Sequence, residues 1–167
     1  MKSEGDGGSA GWPALADPWL GLAARVLVGL VFIVSGALKA AAPAEEFALV
    51  IESYDLVRSA DLILVMATFL PWLEVIAGFA LVFGYLARPA AAAAGGMLLA
   101  FVAAILSTKF RGLELPNCGC FGWGFHPSPS QALVMDALLS AAAAQAFRRG
   151  AELLSLDNWR RAGCKAG

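Results

Sequence analysis

The sequence predicts an all-α integral membrane protein, a four-helix bundle with a short amphipathic helix on its outer face. Three observations predict it. First, 59% of the 167 residues are apolar before the 18 glycines are counted, and only 15% are charged. A soluble domain has roughly 45–50% apolar residues with glycine included, and roughly 25% charged ones. Second, the apolar surplus is gathered into four blocks, and a chain this short cannot hide so much of it in one water-soluble core. Third, the alternating segments of about ten residues that a membrane barrel needs are missing. Net charge is −1, which points to no nucleic-acid partner.

Each element follows in order. Residues 1–18 are polar and glycine-rich and read as a disordered cytoplasmic tail. Leu20–Leu38 carries one charge, Arg25, and begins a span over about 20–41. A cleaved signal peptide is the alternative, with "KAAAPAEE" as the cleavage region. The apolar stretch exceeds the usual 7–15 residues, roughly, of a signal core, and the acidic "EGDGGSAGW" ahead of it is a poor leader, so an uncleaved helix is favoured. In 43–61, Phe47, Val50, Ile51 and Tyr54 recur at helical spacing among acidic residues, which predicts a surface helix with Pro43 in its first turn. Further spans are expected over 62–87, 89–109 and 130–147, carrying Glu74, no charge beyond the flanking Lys109, and Asp136. Together, 19–147 form the membrane domain, and 148–167 form a basic cytoplasmic tail.

Orientation rests on that tail, with Arg148, Arg149, Arg160, Arg161 and Lys165. Positive residues stay cytoplasmic. Both termini are therefore expected inside a bacterial inner membrane, and loops 41–61 and 109–130 in the periplasm. Lys109 and Arg111 weigh against this assignment.

The spans contain polar residues in order. Arg25, Gly29, Phe32, Gly36 and Lys39 are spaced 4, 3, 4, 3 and form one stripe. Glu74, Gly78, Leu81, Tyr85 and Arg88 repeat that spacing on the second span. Both stripes are expected to face protein, because small residues admit a neighbouring helix and charges avoid lipid. Snorkelling to the interface is the alternative for Arg25 and Arg88. Lys39 and Asp136 are expected to approach each other, with Glu74 deeper on the same interior surface. A structural salt bridge and a proton-handling role are the two readings of that pair.

Chemistry concentrates in "NCGCFGWGFH", 117–126. A bridge between Cys118 and Cys120 needs a turn to reach a Cα separation of about 4.4–6.8 Å, and Gly119 permits one. The small ring predicts a strained bridge, and strained, exposed bridges are the labile or catalytic ones. A tiny ring also restricts the unfolded chain little, which argues against a purely structural disulfide. Cys118, Cys120 and His126 form an alternative metal set suited to Cu(I) or zinc, but they supply only three ligands. Redox chemistry is favoured on that ligand count. Cys164, the remaining cysteine, lies on the cytoplasmic side by this topology. With no second pair, a quinone or a partner protein would complete the electron path, or the chain only holds a partner.

The stretches "RVLVGLVFIVSGALKAAAPAEEF", the later Tyr54, "LPWLEVIAGFALVFG" and above all "CGCFG" resemble the methylamine-utilisation MauE family within the wider DoxX-like membrane proteins. The resemblance implies a four-helix membrane bundle, a link to maturation of periplasmic methylamine dehydrogenase, and thioredoxin-like partners. It implies Cys118 and Cys120 as the thiols, with Glu74, Lys39 and Arg25 as the buried polar set. Met135-Asp136 stands where family members often show Arg-Asn. The expected function is thiol–disulfide exchange with a periplasmic thioredoxin-like protein. A non-enzymatic membrane assembly or adaptor protein and a Cys/His metal-binding membrane protein are the alternatives.

Overall fold

The computed structural model describes residues 18–112 and 128–149. The terminal tails, Cys164 and the 117–126 motif lie outside the described residues. Within them the chain is all helix: α1 Pro18–Ala41, α2 Ala44–Ser53, α3 Ala60–Phe83, α4 Ala87–Phe110 and α5 Pro129–Arg149. Three segments, Trp19–Ala41, Ala60–Phe83 and Ala87–Phe110, are long and apolar enough to cross a membrane. Their surfaces invert the water-soluble pattern. Leu27, Val34, Phe69, Trp72 and Ile76 are exposed, whereas Arg25, Lys39, Glu74 and Asp136 are buried. That arrangement suits hydrocarbon outside and protein inside.

The contact between α1 and α3 is backbone on backbone. A Cβ on Gly29 would lie 2.9 Å from the Gly78 carbonyl oxygen, and one on Gly78 would lie 2.7 Å from that of Gly29. A Cβ on Gly36 would lie 2.7 Å from the Pro71 carbonyl oxygen. The two contacts share one antiparallel register, which places Ala41 level with Met66. The start of α3 therefore overhangs the end of α1 by roughly 9 Å, at 1.5 Å per residue.

The helix α2 fills part of that overhang. It buries Phe47 and, just beyond its end, Tyr54, while Glu45, Glu46 and Glu52 are exposed. This is the amphipathic face expected of 43–61. Asp55, at φ 48°, closes the helix in the left-handed region that Asp tolerates. Elsewhere α1 packs on α5, and α4 packs on both α3 and α5. Small residues let α4 and α5 approach closely: Ala90, Ala91 and Ala94 share one core with Leu139, Ala143 and Ala146.

One expectation is corrected at the far end of α3. The helix stops at Phe83, so neither the span nor its stripe continues to Tyr85 and Arg88. Gly84 takes φ 65°, its N–H reaches the Leu81 carbonyl, and the Tyr85 N–H reaches that of Ala80 at 2.9 Å. This Schellman cap turns the chain away, and both Tyr85 and Arg88 are exposed. The rest of the stripe, Glu74, Gly78 and Leu81, is buried, as is all of Arg25, Gly29, Phe32, Gly36 and Lys39.

Gly78→Ala should lower stability by about 1–3 kcal/mol, because backbone atoms opposite cannot give way. Gly96→Ala, with nothing within 4 Å of its added Cβ, should be neutral or slightly stabilising. Thermal unfolding of both variants in one detergent checks the contrast.

Candidate functional site: a buried ion pair where five helices meet

Lys39 lies in the last turn of α1 and is buried, as is Glu74 in the middle of α3. The Lys39 ammonium donates to both carboxylate oxygens of Glu74, to Oε1 at 2.8 Å and Oε2 at 3.0 Å. Ser35, one turn earlier on α1, donates its hydroxyl to Oε2 at 3.3 Å. Two rings face the ammonium, Phe47 of α2 and Phe101 of α4, each with its centroid 5.3 Å from Nζ. Asp136 of α5 lines the same chamber, together with Val31, Phe32, Leu98 and Leu139. α1, α3, α4 and α5 line one chamber of about 30 Å³, and α2 adds the Phe47 ring against the ammonium. A water molecule needs about 10–15 Å³, so the chamber has room for one.

Lys39 and Asp136 line one chamber, as expected. The ammonium also bonds directly to Glu74, which was expected deeper on the same surface. Side chains on a helix lean toward its N-terminus. In the antiparallel register of α1 and α3, Lys39 leans toward the level of Glu74 and Glu74 leans toward Lys39, so their backbones need not be level. Asp136 and Glu74 both face the interior with Lys39, as expected. Arg25 does not join them. It is buried on the same stripe rather than snorkelled, but it sits roughly 21 Å from Lys39 along α1.

Chemically, one ammonium faces two carboxyl groups in a small, mostly apolar space. The charge of each group acts on the other two. Such a cluster is able to store or pass a proton, and it also ties α1 to α3. Cys118, Cys120 and His126 lie outside the described residues, in the connection between α4 and α5. Arg111, just after α4, donates to the Tyr54 carbonyl oxygen, to the Asp55 carbonyl at 3.2 Å and to Asp55 Oδ2 at 3.4 Å. At the start of α5, the Ser128 N–H donates to Gln131 Oε1 at 3.1 Å and the Gln131 N–H donates to Ser128 Oγ at 3.4 Å. This capping box fixes where the helix begins. Tyr54, Ile105 and Ala132 form a small core between these two ends.

Sequence reasoning missed Ser35, the ring contacts of Phe47 and Phe101, and the Arg111 clamp. Ser35 had a signal: it lies four residues before Lys39, on the same helix face. Phe101 had none, since it sits in a uniformly apolar block.

Lys39→Met and Glu74→Leu should each cost about 3–5 kcal/mol, because each strands a buried charge. The double variant should cost much less. Yield and thermal stability of the four proteins in detergent form the cycle that measures this.

Comparison with known proteins places the chain. A family model described as Methylamine utilisation protein MauE matches residues 17–148. Methylamine utilization protein MauE of Paracoccus denitrificans is 36% identical over 137 residues, covering 81% of this chain and 72% of its own. No solved structure matches. The family match reaches from the start of α1 to the last turn of α5, taking in the ion pair, Asp136 and both loop cysteines. Together with three helices able to cross a membrane, it shows that the chain belongs to the MauE family of membrane proteins.

Proposed function

We propose that this protein is a four-span inner-membrane thiol–disulfide exchange protein. Cys118 and Cys120 are its working thiols, and a periplasmic thioredoxin-like protein is its partner. The observation that carries the reading is the Cys-Gly-Cys sequence in the connection between α4 and α5, a connection whose two ends are held by the Arg111 clamp and the Ser128–Gln131 box. A reactive dithiol benefits from such anchoring, because exchange needs the attacking and leaving sulfurs in line.

On this reading α5 is the fourth span. Its 21 residues give roughly 31 Å of helix, enough for a hydrocarbon core of roughly 30 Å. The basic residues after it keep both termini in the cytoplasm and put the cysteines on the oxidising side. One cysteine thiolate attacks the partner's disulfide, forming a mixed disulfide and releasing one partner thiolate. The second cysteine then attacks the mixed disulfide, closing Cys118–Cys120 and releasing the reduced partner with two electrons. The reverse sequence oxidises the partner. A quinone or another protein restores the starting state. Family membership supports a role in methylamine utilisation, through maturation of methylamine dehydrogenase or a related pathway. Lys39, Glu74 and Asp136 form the interior beneath this chemistry, as anchor or proton store, with Arg25 as a separate buried cation.

A second reading, a non-enzymatic assembly or adaptor protein, is favoured by the thorough bonding of the Lys39–Glu74 pair, which suits a purely structural core.

Cys120→Ser should trap a mixed disulfide with a soluble periplasmic protein, visible on non-reducing gels and lost on reduction. Unimpaired function of both single-cysteine variants would favour the adaptor. In intact spheroplasts, after mild reduction, a membrane-impermeant thiol reagent should label Cys118 and Cys120 and spare Cys164. Selective labelling of Cys164 would invert the topology.

A further inference from the structure

A second cavity, of about 240 Å³, lies beneath α2. Its walls include Phe47 and Tyr54 at the α2 side, Leu70 of α3, and Met97, Phe101 and Ala104 of α4. Apart from Tyr54, the lining side chains carry no hydroxyl, amide or charged group. The cavity is partly open rather than enclosed. Its α3 wall, Met66 and Leu70, lies roughly 9–15 Å along the helix from Ala60, and its α4 wall lies within another helix able to cross a membrane. These walls therefore lie at the depth of lipid chains. Val57 is among the lining residues, and the next residue, Arg58, is exposed and pairs with no carboxylate among the described residues.

We propose that this cavity seats one acyl chain of a membrane phospholipid, with the lipid phosphate at Arg58. The apolar walls match a hydrocarbon chain and nothing more polar. Met66 and Met97, flexible and polarisable, adapt to a chain that has no fixed shape. The Arg58 guanidinium matches the phosphate. A quinone is the poorer fit, because its two ring carbonyls both need donors and Tyr54 carries the single hydroxyl among the lining side chains. The lining rings of Phe47 and Phe101 are the same two that face the Lys39 ammonium. A seated chain thus braces the walls of the ion-pair chamber from the lipid side.

The full chain, purified in mild detergent, provides the test. Native mass spectrometry should show about one retained phospholipid per protein, and phosphatidylglycerol added in mixed micelles should raise the unfolding temperature. Ala104→Phe fills the cavity and should abolish both effects. Ala103→Phe, on the exposed face beside it, should keep both. Arg58→Ala, a surface change that leaves the core intact, should raise the half-saturating lipid concentration about fivefold. Unchanged retention and unchanged thermal response in Ala104→Phe and Arg58→Ala would overturn the proposal. Recovery of a prenyl quinone in place of phospholipid from the wild-type protein would overturn it too.

Discussion

The Lys39–Glu74 ion pair is the constraint around which the described helices are arranged. Two charges in an apolar interior are tolerable only when each is satisfied, and the satisfaction here is shared out. α1 supplies the ammonium and a hydroxyl, α3 the carboxylate, α2 and α4 a ring each, and α5 a second carboxyl group at the edge. No one of these helices can leave without exposing part of the cluster to lipid. A buried pair gains little net stability over apolar residues of the same volume. What it supplies instead is selection, since shifting α1 by one turn against α3 would part the charges.

That selection works because the glycines set the same register independently. Gly29 against Gly78 and Gly36 against Pro71 bring the backbones together at two points seven residues apart. The ion pair then straddles the second point, with Lys39 three residues past Gly36 and Glu74 three residues past Pro71. Close packing and charge agree on one alignment, which is the consistency expected of a chain with a single native arrangement. Without the glycines, the two backbones would stand farther apart and the lysine would have to stretch across.

Much of this was legible in the sequence. The 4, 3, 4, 3 spacing on α1 predicted an inward stripe, and every member is buried. Amphipathicity placed α2, and its acidic residues do face outward. The direct bond from Lys39 to Glu74 was missed because position along a helix was equated with depth. Side-chain lean moves the charged ends by several ångströms, and that lean is visible only once two helices have been aligned. The end of α3 was also misplaced, although Gly84 followed by Pro89 is a recognisable stop and restart. The Arg111 clamp joins residues 56 positions apart through backbone carbonyls, which leave no trace in side-chain pattern.

The separation of the ion pair along the chain has a consequence for synthesis. Glu74 follows Lys39 by 35 residues. At roughly 5–20 residues per second, the lysine emerges about 2–7 s before its carboxylate exists. During that interval α1 must reside at the membrane with an uncompensated cation. Lys39 lies two residues from the end of α1, so its ammonium can wait at the water interface. The arrival of α3 then draws it inward. The position of the lysine near the helix end thus reconciles a buried final state with an insertion order in which the positive charge always comes first.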